Sequence, residues 1–116
     1  MRKTAINIKT DKWNEIISGL RKRGWIVTSK YWGFDAGIDD DFLILRKGLK
    51  KIIFGWTNLL EGEIKCNDKL FKYLENEFNM KFEFGKPFSL KPLVILTYRL
   101  QSLPLAVLKK LKYKME

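Results

Sequence analysis

The first apolar pattern along the chain has the spacing of a helix. Four apolar residues at i, i+3, i+4 and i+7 would form one buried stripe: Trp13, Ile16, Ile17 and Leu20. Thr10 lies before this stripe and can cap a helix, and basic residues at 21–23 suit the negative end of its dipole. The pattern therefore predicts a helix that begins near Thr10 and ends at Gly24 in a left-handed conformation.

After this helix the apolar residues recur with a period of two. Residues 25–32 are rich in β-branched and aromatic side chains, and two further apolar runs cover 42–45 and 51–56. Gly48 lies between those two runs, where a hairpin needs a turn residue. Because the connections are too short for crossover helices, we predict an antiparallel meander, with 61–66 as a short fourth strand.

A second helical pattern follows the fourth strand. Asn67 or Asp68 can cap it, and Asn79 can end it in a left-handed conformation. Its apolar residues are Leu70, Phe71, Leu74 and Phe78. Strict alternation over 80–84 then predicts a fifth strand, and the tail is expected to turn near Pro104 into a short basic helix.

These elements predict an α+β fold for a single domain of residues 1–116. We expect an antiparallel sheet of four to five strands, two main helices packed on one face, and a short C-terminal basic helix. A chain of 116 residues buries about two-thirds of its unfolded surface, so it needs neither disulfides nor metal to fold.

The composition excludes several kinds of site. The chain has no histidine and one cysteine, Cys66, which excludes zinc fingers, His-based triads, Cys–His pairs and an internal disulfide. No glycine-rich phosphate loop is present. We therefore expect a protein that is not an enzyme and that holds no cofactor and no metal. Cys66 precedes a helix N-terminus, which can lower a thiol pKa, but we interpret it as a small buried apolar residue.

Neither a signal peptide nor a membrane span is predicted. The N-terminus is basic but lacks the apolar stretch of a signal peptide. The most apolar run, 93–108, contains Arg99 and is shorter than the roughly 20 residues that cross a bilayer. We expect a cytoplasmic protein.

The charge is unevenly distributed along the chain. The net charge is +10, yet residues 35–63 carry six acidic and four basic residues. Three consecutive aspartates at 39–41 repel one another unless a cation or a basic partner offsets them. Three interpretations of this acidic loop are open. It could be a calcium site, although the usual spacing of calcium ligands is absent. It could be a solvated turn, which is the plainest interpretation, or an edge that binds a basic protein partner.

Aromatic residues flank the acidic loop. Tryptophan and tyrosine dominate the energetics of protein interfaces when polar groups surround them. Together with the acidic residues they give the predicted partner-binding set: Trp32, Phe34, Asp35, Asp39, Asp40, Asp41, Trp56, Glu61 and Glu63.

The basic excess favours a second interpretation. Lysines and arginines cluster at 21–23, at 46–51 and at 109–114, which is the charge pattern of a nucleic-acid-binding protein. The motifs of the common nucleic-acid-binding modules are absent. We keep nucleic-acid binding as the alternative function.

The stretch DFLILRKGLKKIIFGWTNLLEGEIKC, residues 41–66, contains two strands and a G-E-I turn. With a helix, a meander, an acidic–aromatic rim and no catalytic set, residues 10–84 resemble the small immunity proteins of bacterial polymorphic or contact-dependent growth inhibition toxin systems. The resemblance implies a protein that binds one cognate toxin domain and blocks its active site or its docking surface. Inhibitors of basic nuclease toxins are usually acidic, so the negative middle segment would do the binding here.

Overall fold

The structure is a computed structural model that describes residues 2–30, 40–88 and 90. This part of the chain forms six strands and two helices. The elements are β1 (Arg2–Ile8), α1 (Thr10–Lys22), β2 (Ile26–Lys30), β3 (Asp40–Lys47), β4 (Lys50–Thr57), β5 (Glu61–Asn67), α2 (Asp68–Glu77) and β6 (Glu83–Phe84). The predicted α+β class is confirmed.

The strands form one sheet in the order β2-β3-β4-β5-β1-β6, and neighbouring strands are antiparallel. Strands β2 to β5 form the predicted meander. Strand β1 lies between β5 and β6. Helix α1 connects β1 to β2, and helix α2 connects β5 to β6, so each helix joins two strands that are not neighbours in the sheet. The sheet thus combines the predicted meander with two long connections made by the helices.

Both helices bury their apolar faces in one hydrophobic cluster with the sheet. Trp13, Ile16 and Leu20 of α1 join Leu70, Phe71 and Leu74 of α2 in this cluster. The sheet contributes alternate residues of its central strands: Leu43, Leu45, Ile52, Phe54, Ile64 and Cys66. Cross-strand partners such as Leu43 and Phe54 share this face because side chains alternate along a strand.

The central strands are also buried on their second face. Phe42 and Ile44 of β3 and Ile53 of β4 alternate with the residues of the helix-covered face, and all three are buried. Burial on both faces explains why β3 and β4 contain continuous apolar runs, which is the pattern of a strand covered on two sides.

The strand count departs from the prediction of four to five. Strand β1 was missed because its alternation is interrupted: the register with β5 shifts between Ala5 and Ile8, and Asn7 adopts a φ of 55°. The fifth strand, predicted over 80–84, pairs only at Glu83 and Phe84. The C-terminal basic helix lies outside the described residues.

Strand β6 is short because the backbone N–H groups just before it are already hydrogen-bonded. The Met80 N–H donates to the backbone oxygen of Glu75 at 3.1 Å, and the Phe82 N–H donates to the Glu75 carboxylate at 3.0 Å. These groups are therefore committed to the end of α2 and are not available to a neighbouring strand.

Several predicted turn and cap residues have the expected conformations. Gly24 and Asn79 have positive φ angles just after the ends of α1 and α2, and Gly48 has a positive φ angle in the β3–β4 hairpin turn. Asn67 caps α2 by accepting a hydrogen bond from the backbone N–H of Leu70 at 2.8 Å. The capping prediction for α1 is wrong, because the N-cap is Lys9, which makes no side-chain hydrogen bond. Within the described residues, neither helix is long and apolar enough to cross a bilayer.

Candidate functional site

Four of the predicted acidic and aromatic residues that the structure describes meet at one end of the sheet. Asp40 pairs in register with Thr57, and Asp41 pairs with Trp56. Thr57 pairs in turn with Glu61 at the start of β5. The meander therefore brings the start of β3, the end of β4 and the start of β5 side by side, at the end of the sheet where α1 begins.

Trp56 and Glu61 both contact the first residue of α1. The indole N–H of Trp56 donates to the Thr10 hydroxyl at 2.9 Å. The Glu61 carboxylate accepts from the Thr10 N–H and O–H at 3.4 Å each. Since no side chain of Lys9 caps this helix, the Glu61 carboxylate supplies the negative charge that a helix N-terminus favours. Thr10 thus contacts both side chains, and its hydrogen bond with Trp56 is the shorter of the two.

Asp41 is half-buried at this end of the sheet. Desolvation raises the pKa of its carboxyl group, and the hydrogen bond from the Phe42 N–H and the charge of Lys30 oppose that shift. The ionised form of Asp41 is therefore less well solvated in the folded protein than in water, which makes it a charge that a cationic partner would stabilise.

Two exposed leucines, which are not among the predicted site residues, complete this end of the sheet. Leu59 and Leu60 form the β4–β5 turn and are 87% and 42% exposed. The turn is held by the Thr57 hydroxyl, which accepts from the Leu60 N–H at 3.0 Å, and by a left-handed Glu61 with φ 58°. Two consecutive leucines inside a tight turn were the available signal, since turn positions are normally polar.

We call this region the sheet-end surface. It consists of Asp40, Asp41, Trp56, Leu59, Leu60 and Glu61. Its three carboxylates and its exposed apolar side chains can form charge-assisted hydrogen bonds and bury apolar area against another molecule. Four other predicted residues, Trp32, Phe34, Asp35 and Asp39, lie outside the described residues.

Glu63 does not belong to the sheet-end surface. Its side chain lies inside the protein and is 3% exposed. The carboxylate accepts from the Phe88 N–H at 2.9 and 3.2 Å and from the Leu90 N–H at 3.1 Å. The geometry gives Glu63 the role of an internal acceptor that holds the segment after β6, a role that strand alternation alone does not reveal.

Metal binding and thiol reactivity are two further kinds of chemistry that the acidic residues and Cys66 raise. Within residues 2–30, 40–88 and 90, no group of three His, Cys, Asp or Glu side chains is placed to hold a metal ion. The thiol of Cys66 is buried on the helix-covered face, and desolvation raises its pKa to about 12. The interpretation of Cys66 as a buried apolar residue is confirmed.

Comparison of the chain with models of protein families, with curated protein sequences and with solved structures finds no match.

Proposed function

We propose that this protein is an immunity-type binder that neutralises a cognate toxin domain through protein–protein contact, using the sheet-end surface. The observation that carries the proposal is the proximity of three carboxylates to two exposed leucines and a half-buried tryptophan. Interfaces with this arrangement combine electrostatic steering with a desolvated apolar centre.

The electrostatic part of the proposal rests on Asp40, Asp41 and Glu61. The protein as a whole has a net charge of +10, so a cationic partner would be repelled by most of its surface. Carboxylates concentrated at one end of the sheet orient such a partner toward that end. The raised pKa of Asp41 adds support, because a poorly solvated carboxylate gains more than an exposed one from a cation placed beside it.

The apolar part rests on Leu59, Leu60 and Trp56. Fully burying a leucine side chain stabilises a complex by about 1.5–3 kcal/mol. Leu59 is almost fully exposed and Leu60 about half exposed, so the pair would contribute about 2–4 kcal/mol. That free energy corresponds to roughly 30- to 1000-fold in Kd.

Binding kinetics with a retained partner test this proposal. The partner is obtained by co-purification with the tagged protein from its host at high salt. The double variant Leu59→Ser, Leu60→Ser should then speed dissociation, and Glu61→Lys should slow association. Leu49→Ser is the matched control, because Leu49 is fully exposed at the β3–β4 turn at the opposite end of the same strands. Equal effects of the two sets of leucine variants would contradict the proposal.

A further inference from the structure

A basic cavity lies at the other end of the helix-covered face. It has a volume of about 450 Å³ and is lined by the β3–β4 hairpin, by Trp25 after α1 and by the first turns of α2. Its size falls in the range of about 300–1,000 Å³ that is typical of small-ligand sites. Asp41 and Lys47 are six residues apart on β3, roughly 20 Å, so the cavity is separate from the sheet-end surface.

Three lysines line the cavity, and the positions of two of them are set by the hairpin. Lys47 and Lys50 are direct cross-strand partners on either side of the turn. Like charges placed directly opposite each other destabilise an antiparallel pair. The Lys47 ammonium group is held at one point, because it donates to the backbone oxygen of Arg23 at 2.7 Å. An anion in the cavity would offset the repulsion between the two lysines.

The third lysine comes from the positive end of a helix. Lys69 lies in the first turn of α2, where the helix dipole disfavours a cation. The neighbouring acid, Asp68, is bound to Lys3 at 2.9 Å, and this contact lowers the Asp68 pKa. In the described part of the chain, neither Lys50 nor Lys69 forms an ion pair with a carboxylate. The unfavourable position of Lys69 is thus a second, independent cost that an anion would relieve.

The remaining wall of the cavity is aromatic and apolar. Tyr73 is half-buried beside it, and Trp25 and Leu70 are buried behind it. An aromatic side chain that lines the same cavity as three lysines suits a ligand with a planar ring at one end and a phosphate at the other, because bases stack on aromatic side chains. Inorganic phosphate alone would leave this wall unused.

We propose that this cavity binds a phosphate-bearing nucleotide unit, with the phosphate on Lys47, Lys50 and Lys69 and the base against Tyr73. The unit can be a free nucleotide or part of a single strand of nucleic acid, since both present the same base and phosphate. The inference does not depend on the proposed function, because the two sites share no residue.

Calorimetric titration at low salt tests the proposal, with ATP, a short single-stranded oligonucleotide, pyrophosphate and adenosine as probes. We expect saturable one-to-one binding of ATP or of the oligonucleotide that weakens as salt rises. Pyrophosphate and adenosine should each bind at least fivefold more weakly than ATP or the oligonucleotide. An oligonucleotide affinity at least tenfold above that of ATP identifies the strand as the source, and any smaller ratio identifies the free nucleotide.

Variants locate the binding. The double variant Lys50→Ala, Lys69→Ala should lower the affinity at least tenfold, and Tyr73→Leu at least fivefold. Lys81→Ala is the control, because it removes one exposed lysine beyond the other end of α2 and should change the affinity less than twofold. Thermal unfolding confirms that each variant is folded. The proposal is overturned if neither ATP nor the oligonucleotide binds saturably, if pyrophosphate binds as tightly, or if Lys81→Ala costs as much as the double variant.

Discussion

Replacement of Glu63 should release the segment that follows β6. The Glu63 carboxylate accepts from two backbone N–H groups, those of Phe88 and Leu90, at 2.9–3.2 Å. Hydrogen bonds to a charged group contribute about 1.5–3 kcal/mol each, so Glu63→Ala should lower the free energy of unfolding by about 3–6 kcal/mol. A domain of this size has a total stability of roughly 6–17 kcal/mol, so the expected loss is a large and measurable fraction of it.

The conservative variant Glu63→Gln separates the contribution of the negative charge from that of the acceptor oxygen. Glu63→Gln keeps one oxygen as an acceptor and loses the charge, so its cost should be about half that of Glu63→Ala. Glu61→Gln is the matched control on the same strand. Glu61 is exposed and its contacts with Thr10 are 3.4 Å long, so this change should cost less than about 1 kcal/mol.

Two measurements check the role of Glu63. Urea unfolding followed by tryptophan fluorescence gives the loss of stability. Amide hydrogen exchange should show faster exchange at Phe88 and Leu90 in Glu63→Ala than in the wild type. A loss below about 1 kcal/mol, with unchanged exchange at both amides, would refute the assignment of Glu63 as the internal acceptor.

Three further predictions concern single residues. Cys66, with its pKa raised to about 12 by burial, should not react with a thiol reagent at pH 8 until the protein unfolds; rapid reaction of the native protein would show that the thiol is accessible. Gly62→Ala should destabilise the protein by about 1–3 kcal/mol or more, because the added Cβ would overlap the Trp13 ring. In urea unfolding, a loss below about 1 kcal/mol would argue against close packing at Gly62. Since burial raises the Asp41 pKa above its ordinary 3.8, Asp41 opposes folding as pH rises through and above that value. Asp41→Asn should therefore raise the free energy of unfolding at pH 7 and lose that advantage below pH 3.8; a gain that is independent of pH would contradict this cause.

The elements with local signals could be predicted from the sequence. The stripe from Trp13 to Leu20 and the helix-ending Gly24 give α1 directly, and both ends of the β3–β4 hairpin follow from the apolar runs around Gly48. These features depend on neighbours within a few residues. Local spacing is therefore sufficient to identify them.

The edges of the sheet could not be predicted in the same way. Strand β1 pairs with β5, about 60 residues later in the chain, and Asn7 interrupts the alternation that would have marked it as a strand. Strict alternation over 80–84 suggests a full strand, but Glu75 at the end of α2 binds the N–H groups that a longer β6 would use. Both outcomes depend on contacts between distant parts of the chain.

The sequence also gives only part of the candidate site. The hairpin register brings Asp41 and Trp56 together as the sequence analysis expected. The sequence does not show that the Glu63 side chain is buried. Alternation separates the residues of β5 into two faces, but it does not show that a later segment of the chain covers the face on which Glu63 lies. Leu59 was not predicted because it lies in the short connection between the predicted strands 51–56 and 61–66, where residues are expected to be polar.

Neutralisation of the partner tests the central claim most directly. The protein retained at high salt would be expressed in cells together with the wild-type chain, with Leu59→Ser, Leu60→Ser, or with Leu49→Ser, and growth would be measured. We predict that the wild type and Leu49→Ser restore growth and that the double variant does not. Equal growth with all three, or recovery of nucleic acid with no toxic protein, would contradict the account.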